Sequence, residues 1–240
     1  MQKKRLMNRS ITTFLLGAVL LVAFSFSGCK KEAIIQHKIS EGKIIFDISF
    51  PPQVNPQSFS SVIPSQMVIL FKENSTYTKI QGPLNFFSLD VVKPYKKDSI
   101  TTYLRVLDKK VSLTSPARDG NFLFSELQNK KTTLIDGLEK EICGIKCKKA
   151  LLSDNDDAIA PIEIYYTNLI NIKNPNSNGP FNEIPGVMLK FDITVNKIRY
   201  TFTASDICEE KIEDSFFKPL KGYQKITQEE MQDLMRSLTQ

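Results

Sequence analysis

The sequence predicts a mainly β (α+β) domain, a curved antiparallel sheet covered by a C-terminal helix. Apolar and polar residues alternate with period two through most of the chain beyond residue 42, as in strands with one buried and one wet face. Pro, Gly, Asn and Asp clusters punctuate these runs at short intervals. The period becomes helical only near the end. There Met231, Leu234, Met235 and Leu238 recur at i, i+3, i+4 and i+7 behind a capping box of Thr227 and Glu230.

The first strand is Lys43–Phe50, with Ile44, Phe46, Ile48 and Phe50 on one face. Pro51-Pro52 stops it, and residues 51–64 read as a loop. Met67–Lys72 and Tyr77–Gln81 follow as strands around Glu73-Asn74-Ser75, and then Phe86–Val92 and Thr101–Leu107. Asn121–Gln128 fits a short helix or an irregular turn. Thr132–Ile135 and Leu138–Ile142 flank Asp136-Gly137, where glycine suits the positive φ of a type I′ hairpin turn. Ile145–Leu152 and Ile162–Thr167 are further strands, and residues 171–182 form a polar loop rich in Asn, Pro and Gly. Val187–Val195 and Ile198–Ala204 alternate on either side of Asn196-Lys197 as the best hairpin of the chain. The helix, 227–238, is expected to lay its apolar stripe on the apolar face of the sheet.

The N-terminus reads as a leader rather than as part of the fold. Lys3, Lys4, Arg5 and Arg9 precede an apolar run from Ile11 to Phe26, followed by Ser27-Gly28-Cys29. That order is the layout of a secretory signal, and the run falls short of the roughly 20 apolar residues of a comfortable span. Phe26-Ser27-Gly28-Cys29 resembles a bacterial lipobox, which implies cleavage before a lipidated Cys29. The organisation expected is a signal peptide over 1–28, a tether over 29–40 and a single β-rich domain over 41–240. Of 32 basic and 26 acidic residues, four basic ones and no acidic one lie in the leader, so the remainder carries only +2. A near-neutral domain with no basic stripe gives no reason to expect nucleic acid as a partner. Lys30-Lys31-Glu32 after Cys29 points to an envelope location, in the outer membrane rather than the inner.

Catalytic chemistry is sparse. The one histidine, His37, falls in the tether, away from any organised pocket. No Gly-rich phosphate loop occurs, and Asp154-Asn155-Asp156-Asp157 lacks the Gly and distal Glu of a calcium loop. Glu163, Asp192 and Asp206 lie on polar strand faces with nothing pairing them as acid and base. No metal or cofactor is expected. Cys143, Cys147 and Cys208 are an odd number in an exported chain. Four residues along a strand separate Cα atoms by about 13 Å, so bridging Cys143 to Cys147 needs a turn at Gly144. A bridge from either to Cys208 and buried free thiols are the alternatives.

The order of motifs Ile142-Cys-Gly-Ile-Lys-Cys-Lys-Lys-Ala150, Ile162-Glu-Ile-Tyr-Tyr-Thr167, Glu183-Ile-Pro-Gly-Val-Met188 and Pro219-Leu-Lys-Gly-Tyr223…Met231 resembles the GLPGLI family and a related family of Bacteroidetes lipoprotein domains. The resemblance covers roughly residues 42–238 and implies a half-barrel like that of the LolA and LolB lipoprotein carriers. It suggests a non-enzymatic envelope lipoprotein, held to the membrane through Cys29, whose half-barrel binds lipid or lipoprotein. Met231, Leu234, Met235 and Leu238, with Phe191 and Phe202 on the sheet, would line such a site or else fill the core. A structural or partner-binding module, using loop 171–182 or a sheet edge, is the alternative.

Overall fold

The computed structural model describes residues 35–51, 64–95, 97–117, 130–154, 160–177, 180–195 and 198–237. Cys29, Asn121–Gln128 and Leu238 lie outside the described residues. The strands are β1 (Glu41–Ser49), β2 (Gln66–Lys72), β3 (Ser75–Gln81), β4 (Phe87–Lys93), β5 (Ser99–Val106) and β6 (Lys109–Pro116), then β7 (Lys131–Ile142), β8 (Ile145–Ser153), β9 (Ile162–Thr167), β10 (Val187–Val195), β11 (Ile198–Cys208) and β12 (Gln224–Lys225). They form one 12-stranded sheet in the order β12-β6-β5-β4-β3-β2-β1-β11-β10-β9-β8-β7. The pairings are antiparallel, except that β12 runs parallel to β6. The two ends of the order are not paired, so the sheet is open. The helix α1 spans Gln228–Ser237. No helix among the described residues is long and apolar enough to cross a membrane.

Alternation in β1 has the expected result: Ile44, Phe46 and Ile48 are buried. Cross-strand registers extend it. Phe46, Met67, Ile80, Leu89, Leu104 and Val111 stand opposite one another in a row across β1–β6. Beyond β1 the same face continues through Ala204 opposite Phe46 and Phe202 opposite Ile48. The sheet curls toward this face. Cys143, in the β7–β8 turn, donates its thiol proton to the Ala204 carbonyl on β11 at 3.2 Å. In a flat sheet three strand spacings of about 4.8 Å would separate β8 from β11.

Two turn assignments change. Asp136-Gly137 does not reverse the chain. Residues 131–142 are one strand, bulged between Ile135 and Glu139, and Gly137 takes its positive φ of 76° inside the bulge. The hairpin turn is Cys143-Gly144, with φ of 50° and 71°, between Ile142 and Ile145. A positive-φ glycine serves a bulge as well as a turn. The choice fell to pairing, because both halves of β7 find partners along β8. The strands β6 and β12 are additions to the sequence reading.

Residues 35–40, expected to be tether, pack on the domain. Ile39 is buried and bridges Ile170, and the Ile35 N–H donates to the Gly144 carbonyl at 2.8 Å. The described residues of loop 171–182 are likewise tied down. Asn176 donates to the Ile184 and Gly186 carbonyls at 2.9 and 2.8 Å, and Phe181 is buried. Gly186 is dictated by close approach: a Cβ there would sit 2.3 Å from the Thr167 carbonyl oxygen.

Candidate functional site

The inner apolar face is the candidate site, and its two ends are closed differently. At one end lies the main core, which holds Phe46, Phe181, Phe191 and Phe202 among others. Phe191 and Phe202 are directly opposed on β10 and β11 and stack with centroids 5.0 Å apart and planes at 2°. At the other end α1 covers Leu89, Leu104 and Val111 with a fully buried Met231, while Leu234, Met235 and Ile226 pack alongside. The capping box that starts this helix is formed: the Glu230 N–H donates to Thr227 Oγ1 at 3.2 Å, and the Thr227 N–H to Glu230 Oε2 at 2.8 Å.

The residues expected to line one site therefore part company. Met231 fills the core under the helix, with Leu234 and Met235 half-buried beside it. Phe191 and Phe202 belong to the other cluster. Ile80, half-buried, packs against both. Beside the first row, two residues along each strand, runs a second, Ile44, Ile69, Thr78, Val91, Thr102 and Leu113, of which Ile69, Thr78, Val91 and Leu113 stay half-buried. Among the described residues this strip is a part of the apolar face that stays incompletely covered. It was latent in the alternation of β4, where Phe87, Leu89 and Val91 share a face, but only the registers assemble it.

One charge borders the strip. Lys93 continues the alternation of β4 and stands opposite Thr76. Burial lowers its pKa from the usual lysine value, with Asp98 pulling the other way. Among the described residues it has no ion pair or hydrogen bond.

The other polar groups serve the frame. His37 meets Glu209 at 2.7 Å in an exposed pair. Glu163 pairs with Lys149 at 2.5 Å, and this lysine holds its carboxyl below the usual range. Asp192 accepts from Arg199 Nε at 2.6 Å and from Nη2 at 2.5 Å. Asp206 accepts from Cys208 Sγ at 3.1 Å. Among the described residues no three His, Cys, Asp or Glu side chains converge.

No disulfide joins Cys147 or Cys208 to another cysteine among the described residues. Burial pushes the Cys147 thiol up to about 12, while Cys208 is half-exposed. The hydrogen bond to Asp206 raises the Cys208 thiol too, but Cys208 is the accessible one, so alkylation of the native chain by iodoacetamide near neutral pH is expected to modify it well before the buried Cys147. Peptide mapping after timed quenching reads the order, and equal rates at the two sites would contradict it.

The fold and site define a class: an open, curled antiparallel sheet with an apolar inner face, capped at one end by a helix. Comparison with protein-family models and with curated proteins returns no match.

Proposed function

We propose that the protein is a lipid-anchored envelope lipoprotein that binds an apolar ligand, a lipid or the acyl part of a lipoprotein, on the inner face of a LolA-like half-barrel, without catalysis. The observation that carries the reading is the half-buried strip of Ile69, Thr78, Ile80 and Val91 on the inner face, beside the two buried clusters. A sheet that needed the helix only to finish its core would bury that strip as well. Apolar surface left open at the centre of a concave face suits a ligand held by burial rather than by hydrogen bonds. The lipobox-like Phe26-Ser27-Gly28-Cys29 supports attachment to the outer membrane through Cys29. The edge strand β7 gives the partner-binding alternative little purchase. Its bulge and its charges, Lys131, Asp136, Glu139, Lys140 and Glu141, are devices that discourage strand addition.

Mass spectrometry of the natively extracted chain is expected to find bound lipid, displaced by Val91→Glu. A lipid-free protein, or lipid retained by that variant, would overturn the ligand. Globomycin is expected to leave a larger precursor in cells, and unchanged processing would overturn lipidation at Cys29 while leaving the ligand reading in place.

A further inference from the structure

Where β1 finishes, two turns lie side by side. One is the 3₁₀ turn Pro83–Asn85 that leads into β4, and the other is Leu107-Asp108 between β5 and β6. They are stitched together. The Leu107 N–H donates to the Phe86 carbonyl at 2.7 Å, and within the first turn the Gly82 N–H donates to the Phe87 carbonyl at 3.0 Å. Three large apolar side chains stand out from this pair of turns: Leu84 is 83 % exposed, Leu107 63 % and Phe86 46 %. Leu84, Asn85 and Leu107 hold φ of 52°, 61° and 55°. A bulky side chain rarely adopts that left-handed backbone. Here two leucines adopt it while standing out in water, the opposite of what burial alone selects.

The flanks are basic. Residues 82–89 carry no charge, and around the second turn Arg105, Lys109 and Lys110 face only Asp108. Arg105 stands opposite both Ser88 and Lys110, and Lys109 opposite Val106, so the cations flank the apolar tip on the side of the second turn. A specific protein interface buries about 800 Å² on each partner, far more than three side chains offer. A bilayer surface asks for less: apolar tips that enter the acyl boundary and cations that stay at the phosphate level.

We propose that Leu84, Phe86 and Leu107 form a membrane-contact tip that docks on an anionic lipid surface, with Arg105, Lys109 and Lys110 meeting its phosphates. The contact is separate from the chain's entry into the domain, because Ile35–Ser40 packs where β1 begins. It depends neither on what the inner face holds nor on how Cys29 is processed.

The chain has no tryptophan, so Leu107→Trp places a single reporter at the tip of the full-length protein. With phosphatidylglycerol vesicles bearing brominated acyl chains, its emission is expected to shift to the blue and to be quenched. Phe86→Trp should report the same. Leu138→Trp, on exposed β7, should report neither. Lys109→Ser with Lys110→Ser is expected to weaken the tip's binding to these vesicles about 30-fold, a factor of about five per cation lost. The absence of shift and quenching at both tip positions, or an equal response at position 138, overturns the tip. Equal quenching by phosphatidylcholine vesicles overturns the anionic surface.

Discussion

Phe191→Ala is expected to destabilise the domain by about 3–5 kcal/mol, the range for removing a buried aromatic ring. Phe191 stacks on Phe202 at 5.0 Å and meets Phe46 and Phe181 edge-on at 5.9 and 6.2 Å. One ring thus joins β1, β10, β11 and the loop before β10. Its loss removes the transfer free energy of the ring and leaves a void that neighbours locked in their own contacts fill poorly. Phe191→Leu, which keeps most of the volume, should cost less than half as much. Urea unfolding followed by far-UV circular dichroism measures both, and the melting temperature of the alanine variant should fall by roughly 10 °C. A loss below about 1 kcal/mol would mean that the cluster repacks freely, at odds with the packing density of protein interiors.

Asp90→Ala is expected to cost about 2–3 kcal/mol, for a different reason. Asp90 is 3 % exposed and has no ion pair among the described residues. It accepts from Tyr77 OH at 2.5 Å and from Ser88 Oγ. The segment after β11 covers this face: Ile212 and Phe217 pack on Leu70, Tyr223 meets Tyr103 edge-on at 5.0 Å, and the Leu220 N–H donates to Tyr103 OH at 3.1 Å. Removing the carboxylate relieves a desolvated charge but strands two hydroxyl donors. Hydrogen bonds to a charged group contribute about 1.5–3 kcal/mol each, so two of them outweigh the relief. Asp90→Asn keeps an acceptor and should lose less. Burial, with Asp90 beside it, raises the Tyr77 pKa above the usual tyrosine value. Stability tied to the neutral phenol is therefore complete below pH about 10 and is lost as pH rises beyond it. Tyr77→Phe should flatten that alkaline loss. A double-mutant cycle with no coupling between positions 77 and 90 would refute the network.

The apolar strip and the covered polar face show how much was legible in the chain. Ile44, Phe46 and Ile48 announce their buried face because period two is local, and Thr227 and Glu230 announce the helix start because a capping box closes within one turn. β6 was illegible because Val111 and Leu113 are its only aliphatic residues, too few for a pattern. The segment 209–223 gave no periodicity, since it packs through isolated anchors such as Ile212 and Phe217. Met231 and Phe191, expected along one site, fall in separate buried clusters because β6 and β10 stand far apart in the sheet order, and among the described residues Ile80 packs against both.

By itself the sequence determined which residues turn inward along each strand, where the final helix begins, and that the residues before Cys29 read as a leader. Those properties depend on neighbours within a few positions. Only the tertiary structure decided that Gly137 bulges while Gly144 turns, that Ile39 belongs to the domain, that Asp90 is enclosed, and that a half-buried strip runs along the inner face beside the two cores. Each of these depends on which strand pairs with which, and in what register. Pairing energy is shared between segments distant in the chain, and a one-residue slip would exchange every inward side chain for an outward one.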